Sequence, residues 1–345
     1  MPLVKPKALQ RGDRVAVISL SWGGAGELPA RYEQGKRQLQ ATFGLEVVET
    51  THALKSAQWL YDNPSARAQD LMEAFADPSI KAIISAIGGD DSCRILRYVD
   101  LEVIRRNPKI FLGFSDSTST HLLCLKAGLT SFYGTSLLVG FAENGGMFPS
   151  QIADIQRTLF SATAVGEVFP NRTGWTSELL DWSDSSLQHT KRKLMPNSEW
   201  NFLQGSQRVQ GRLIGGCQES LESLKDTAFW PSPEQWADAI LFFETSEVRP
   251  EPDYFRWWLR NYAQQGILHV AKGILLGRPD NNAYVQEYNM ELRKVLGEEG
   301  LTDLPVITEM DFGHTSPVFT LPYGVLAEID CITRTFSLLE SGVEA

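Results

Sequence analysis

Three residue types, well separated in the chain, could together attack a carbonyl: a serine, a histidine and a carboxylate. The serine is Ser115. It sits in Lys109-Ile-Phe-Leu-Gly-Phe-Ser-Asp-Ser-Thr-Ser-Thr-His121, where an apolar, β-forming run ends at Gly113 and a polar, helix-starting segment follows at once. A serine on such a strand-to-helix corner projects its hydroxyl beyond the sheet, beside the unpaired N–H groups and positive dipole end of the next helix. Gly113-Phe-Ser115-Asp-Ser117 comes close to a nucleophile elbow, although its last position is Ser instead of Gly. A serine that only caps a helix fits the same letters, so its partners decide.

A hydrolytic serine needs a base, and the base needs an acid to orient it. Only five histidines are available. His121 lies six residues after Ser115 on the following helix, and packing explains it. His52 falls in a turn, His189 in a polar insert and His269 in an apolar run. His314, in Met310-Asp-Phe-Gly-His-Thr-Ser-Pro317, lies just past a strand, where functional side chains concentrate. The competing reading is a loop histidine bonded to a neighbouring carbonyl. For the acid, Leu241-Phe-Phe-Glu-Thr-Ser-Glu247 offers Glu244 and Glu247, with Asp311 and Asp116 as competitors; spacing alone does not choose. Gly88-Gly89 ends another strand. Paired glycines let an N–H approach a substrate carbonyl, and with the Asp116 amide they could form an oxyanion hole. A plain turn into the helix at Ser92 fits equally. A phosphate-binding turn of a kinase is also conceivable, but the chain has neither a Walker-type lysine nor GxGxxG.

The elements that must position these residues alternate regularly. Strands are expected at 14–20, 45–49, 81–87, 109–114 and 129–133, and helices at 28–42, 65–76, 92–98 and from 115 through 127. Apolar strands alternating with helices mean a parallel sheet covered on both faces, with ligands beyond the carboxyl ends of its strands. The loops at Ser21–Gly24, Gly88–Ser92 and Ser115 share that edge. The stretch 169–208 is polar and carries Trp175, Trp182 and Trp200; it reads as a linker or an extended active-site loop. Beyond it, apolar runs at 209–216, 239–243, 271–276, 304–308 and 324–330 alternate with helical stretches at 254–264 and 282–296. The fold class is therefore α/β: a Rossmann-like parallel-sheet N-terminal domain (1–168), the polar segment (169–208), and a smaller β-rich α/β C-terminal domain (209–345).

At 345 residues, with 43% hydrophobic and 21% charged residues, the composition is that of a soluble globular protein, and the formal charge of −10 argues against nucleic-acid or anionic-membrane partners. The first residues lack the apolar core of a signal peptide, and no uncharged apolar run reaches spanning length, so a cytoplasmic protein is expected. Cys93, Cys124, Cys217 and Cys331 are scattered without CxxC spacing, so buried free thiols are expected in place of a zinc site or disulfides.

Taken together, Gly12-Asp13, Gly88-Gly-Asp-Asp-Ser92, Gly113-Phe-Ser-Asp116, Gly211-Arg-Leu-Ile-Gly-Gly216, Phe243-Glu-Thr-Ser-Glu247, Gly277-Arg-Pro279, Asp311-Phe-Gly-His314 and Leu321-Pro-Tyr-Gly324 resemble the LD-carboxypeptidase family of serine peptidases, nearly from end to end. That family includes the microcin C self-immunity proteins. The resemblance implies a Ser-Glu-His triad of Ser115, Glu244 and His314, with the backbones of Gly89 and Asp116 as oxyanion donors. It further implies a site between two domains, a homodimer, and neither metal nor organic cofactor. Two activities compete within the family: removal of the terminal D-alanine from murein tetrapeptides, and cleavage of the amide joining an aspartyl-like group to a nucleotide-like amine. The tryptophan-bearing insert resembles the immunity-type subgroup. There Trp182 could stack on a nucleobase, and Gly88 could line the substrate site; the alternative is that the tryptophans pin the loop. Cys217 and Thr135 depart from the family pattern beside the site, which bears on specificity. A non-catalytic small-ligand binding protein on the same scaffold is the rival from another class.

Overall fold

The computed structural model describes residues 3–197 and 199–345; Met1, Pro2 and Ser198 lie outside the described residues. The first half folds as its alternation requires. Strands β1 (Arg14–Ile18), β2 (Glu46–Glu49), β3 (Ile80–Ser85), β4 (Ile110–Gly113) and β5 (Phe132–Tyr133) pair in parallel in the order β5-β4-β3-β1-β2. This 2-1-3-4-5 order is the flavodoxin-like member of the doubly wound class, whose strand order reverses between β1 and β3. Side chains alternate between the faces with period two. Val15, Val17, Ala82 and Ile84 pack on Tyr32, Leu39 and Phe43, whereas Ala16, Ile18, Ile83 and Phe111 face Leu71, Phe75, Leu122 and Leu123. The expected strand at 129–133 shortens to two residues.

The chain then builds a second sheet from β6 (Gly166–Val168), β7 (Asn201–Gln204), β8 (Arg208–Cys217), β9 (Ala239–Glu244), β10 (Gly273–Gly277) and β11 (Val306–Met310). After a short excursion as β12 (Leu321–Pro322), it adds β13 (Leu326–Asp330) and β14 (Thr335–Leu338). The second sheet runs β6-β14-β13-β8-β9-β10-β11-β7. Its centre, β8-β9-β10-β11, is parallel and its outer pairs are antiparallel. With eight strands against six it is the larger sheet, because β6 and β7, from outside the segment 209–345, supply its two edges. In return, β12 crosses back and pairs antiparallel with β5.

One continuous core joins the two sheets. Phe111 and Tyr133 from the first share it with Phe242, Leu275 and Ile307 from the second, and with Tyr323 just past β12. The Tyr323 ring stacks on His121 at 5.0 Å and meets Phe242 edge-on at 5.1 Å. No described helix is long and apolar enough to cross a membrane. The carboxyl ends of β3, β4 and β5 therefore look towards those of β8 and β9, and the candidate residues lie along that seam.

Candidate active site

Ser115 follows β4 by two residues and has φ +59°, in the left-handed region that a residue with a Cβ adopts only under strain. Its surroundings hold it there. The Ser115 N–H donates to Tyr133 Oη at 3.0 Å, and its carbonyl accepts from Thr118 Oγ1 at 2.7 Å. Thr118 Oγ1 in turn accepts from the Cys217 N–H at 3.1 Å, which ties the elbow to the end of β8. The helix Thr118–Ala127 starts directly after the turn. Gly88 at the end of the β3 loop leaves room for the serine: a Cβ there would lie 2.9 Å from Ser115 Cβ and 3.2 Å from the Asp116 amide nitrogen.

The second sheet supplies the other two groups. Glu244 ends β9 fully buried. His314 stands on the loop after β11, with Nδ1 2.6 Å from Glu244 Oε2 and Nε2 3.1 Å from Ser115 Oγ. Gly313 permits this approach, because at φ +95° a Cβ would lie 2.8 Å from that of Glu244. Serine, histidine and glutamate thus form one unbroken hydrogen-bonded row across the seam. Burial would push the His314 imidazole down, but Glu244 and Glu247 outweigh it and hold its pKa well above the ordinary 6.5.

Of the competing acids, Glu244 meets the orienting nitrogen. Glu247 lies on the other side of the ring, its Oε2 3.1 Å from Nε2, and the contact with His314 holds its carboxyl down to about 2. Asp116 turns away from the histidine and accepts from the Ser92 N–H at 2.8 Å; burial pushes its carboxyl up. Asp311 accepts from the Asn171 N–H, Asn197 Nδ2 and Trp200 Nε1 at 2.9–3.0 Å, and so anchors the insert to the His314 loop.

The other histidines stay out of the row. His121 is buried between Ser131 Oγ and the Gly113 carbonyl, and burial lowers its pKa to about 3. His52 pairs with Asp70, and His269 with Glu299. His189 is exposed in the insert. All four cysteines are free, and burial pushes the Cys217 thiol well up.

Sequence reasoning assigned no role to Tyr133, yet its hydroxyl bridges both halves of the row. It accepts from the Ser115 N–H and donates to Glu244 Oε1 at 2.5 Å. The available signal was a tyrosine ending the strand beside that of Ser115, in register with Gly113.

The insert is strapped down. Trp175 is buried, with the Arg278 guanidinium 5.0 Å from its ring centre, and Thr176 exchanges both backbone hydrogen bonds with Ser316, two residues past His314. Trp182 is partly buried against the first-sheet core, and the Arg31 guanidinium lies 4.6 Å from its ring. A cavity of about 230 Å³ opens beyond Gly89, lined by Ser21, Trp22, Gln58, Tyr61, Asp90 and Asp91.

A serine on a strand-to-helix elbow of a doubly wound sheet, hydrogen-bonded to a His–Glu pair from a second sheet, has the geometry that serine-hydrolase chemistry requires. Residues 15–134 match the LD-carboxypeptidase N-terminal domain and residues 210–329 the C-terminal domain, and the chain belongs to the LD-carboxypeptidase family of serine peptidases. It is 30% identical over 343 residues to a protein named as a carboxypeptidase in Vibrio cholerae, covering 98% of each chain. It is 27% identical over 337 residues to the microcin C7 self-immunity protein MccF of Escherichia coli, covering 95% of this chain and 94% of that one. Among solved structures, an MccF-like protein from Streptococcus pneumoniae in complex with AMP aligns with a TM-score of 0.86 at 31% identity, over 94% of this chain and 98% of the other. MccF in complex with aspartyl sulfamoyl adenosine aligns equally well, 0.86 at 26% identity, over 99% and 100%. The chain is a serine peptidase or amidase.

Proposed function

We propose that this chain cleaves an amide bond in a small peptide or an aminoacyl- or peptidyl-nucleotide conjugate, with Ser115 as nucleophile, His314 as general base and Glu244 as the acid that orients it. The observation that carries this reading is the row Ser115 Oγ–His314–Glu244, with the serine on a strained elbow. His314 Nε2 takes the Ser115 proton as Oγ attacks the scissile carbonyl. Glu244 at Nδ1 fixes the tautomer and stabilises the imidazolium that forms. The Ser115 N–H is committed to Tyr133, which leaves the Asp116 amide, with that of Gly89, for the developing oxyanion; each well-aimed donor is worth about 3 kcal/mol. His314 then gives its proton to the leaving amine, and water resolves the acyl-enzyme by the same steps in reverse.

In this reading segment 1–168 carries the nucleophile and 209–345 the acid and base. Segment 169–208 is a strap over the site, and Gly88 lines the substrate channel. Trp182 reaches a nucleobase only by sharing or leaving its place on Arg31. The nucleotide ligands of the two structural relatives favour the conjugate as substrate. The carboxypeptidase names in the family favour a second reading, removal of D-alanine from a murein tetrapeptide.

The test compares hydrolysis of aspartyl sulfamoyl adenosine and of a murein tetrapeptide by the wild-type protein and by Ser115→Ala. Ser115-dependent cleavage of the conjugate supports the first reading, and of the tetrapeptide alone the second. Absence of both, with no labelling of Ser115 by an aryl phosphonate, returns the scaffold to a binding role.

A further inference from the structure

The row leaves one charged group beside it without a part in the chemistry. Glu247 lies three residues beyond Glu244 and its side chain is 71% exposed, yet Oε2 reaches within 3.1 Å of His314 Nε2, the atom that also faces Ser115 Oγ at 3.1 Å. In the proposed cycle that nitrogen hands its proton to the leaving amine. A leaving nitrogen one hydrogen bond from Nε2 therefore passes within roughly 6 Å of the Glu247 carboxylate. Whatever is bonded to that nitrogen must share the space with a fixed negative charge.

Among the described residues, His314 is the one basic side chain within ion-pair distance of Glu247, and the other cations nearby are engaged elsewhere. The ring of His314 meets Glu244 at Nδ1 and lies 5.2 Å from the Phe114 ring, which brings no charge. Arg249, two residues past Glu247, is bound to Asp280 at 2.7 Å. Arg278, on the loop after β10, donates to the Glu309 carbonyl at 3.0 Å and faces Asp311 and the Trp175 ring. Both arginines are paired with other carboxylates and not with Glu247.

We propose that Glu247 is a specificity residue that reads the charge of the leaving amine: it favours amides whose leaving nitrogen carries a neutral or cationic group and disfavours those with a carboxylate or phosphate next to that nitrogen. The inference rests on the Ser115–His314–Glu244 reading and narrows its substrate class. A terminal D-alanine, whose carboxylate sits two bonds from the leaving nitrogen, is the disfavoured kind. An uncharged or aminated leaving group is the favoured kind, and its ammonium could replace the imidazolium as partner of Glu247.

The experiment uses three aspartyl amides that share the acyl part and differ in the leaving amine: D-alanine, D-alaninamide and ethylenediamine. kcat/KM is measured for the wild type, Glu247→Gln and Glu247→Lys, with Ser115→Ala as the control. The wild type is expected to disfavour the D-alanine amide by ~10-fold relative to the ethylenediamine amide, the scale of exchanging a like for an opposite charge a few ångströms from a largely exposed carboxylate. Glu247→Gln should flatten that ratio, and Glu247→Lys should invert it. Should no amide turn over, the same ratio is read from the rates at which Ser115 is modified by aryl phosphonates with neutral or carboxylated leaving phenols. Ratios unchanged across the Glu247 variants, with Ser115-dependent reaction intact, overturn this inference alone. Reaction that survives in Ser115→Ala, or absence of any reaction at Ser115, overturns the reading beneath it and this inference with it.

Discussion

The two sheets deliver their shares of the site by different physical means. The first presents Ser115 through its backbone: a left-handed turn, a glycine that yields space, and hydrogen bonds to the serine's own N–H and carbonyl. The second presents Glu244 and His314 through side chains that hold each other, one at a strand end and one on a loop. Placement by backbone resists substitution of the side chain it carries. Placement by mutual hydrogen bonding does not, because removing one partner frees the other. Truncating the Ser115 side chain should therefore remove chemistry and spare structure, and changes to Glu244 or His314 should disturb both.

The largest effect tests the first half of that contrast. Ser115→Ala should lower kcat by several orders of magnitude with the melting temperature within a few degrees of wild type; a large loss of stability would show that the hydroxyl, and not the backbone, holds the elbow. Glu244→Gln should cost about a thousand- to ten-thousand-fold in kcat through the wrong imidazole tautomer, and also some stability, because a buried acceptor loses its charge.

Next comes the hydroxyl that links the two halves. Tyr133→Phe should lower kcat by about tenfold and cost roughly 1–3 kcal/mol in denaturant unfolding, since a buried N–H and a buried carboxylate each lose a partner. If kcat alone moves, the link is electrostatic and not structural.

The pH profile sharpens the contrast further. In the proposed cycle His314 acts as base only when unprotonated, and its two glutamates raise its pKa. The acid limb of kcat/KM should therefore lie above pH 6.5, with activity lost as pH falls through it, and Glu247→Gln should shift that limb to lower pH. The smallest effect belongs to the strap. Trp182→Ala should lose about 0.5–2 kcal/mol of stability from the cation–π stack on Arg31, read as a small fall in melting temperature. An accompanying rise in KM for a nucleotide conjugate alone would give the ring a binding role as well.

What could be read from the chain beforehand follows the same division. β1, β3 and β4 are buried on both faces, and their apolar runs stand out; Val15–Ile18 and Ala82–Ile84 needed no partner to be recognised. The short edge strands hide. Asn201–Gln204 is half polar because only one side of β7 meets the core, so the segment read as a linker in fact closes an edge of the second sheet. β12 is two residues long and depends on a partner nearly two hundred positions away. At the site, strand-end motifs pointed to Ser115, Glu244 and His314. Tyr133 was missed because its part depends on the Gly113–Tyr133 register. Glu247 was weighed as an orienting acid, but the loop after β9 turns it to the opposite nitrogen of His314.

The distance along the chain between Ser115 and His314 also has a consequence for synthesis. The ring that touches the serine hydroxyl arrives 199 residues after it, whereas the early parallel strands can pair as soon as they emerge, since domains tend to form in order of synthesis. On the proposed roles, the growing polypeptide carries its elbow without a base for most of translation. Such a chain would be unable to attack amides around the ribosome and would become a hydrolase only when the last strands of the second sheet close the seam.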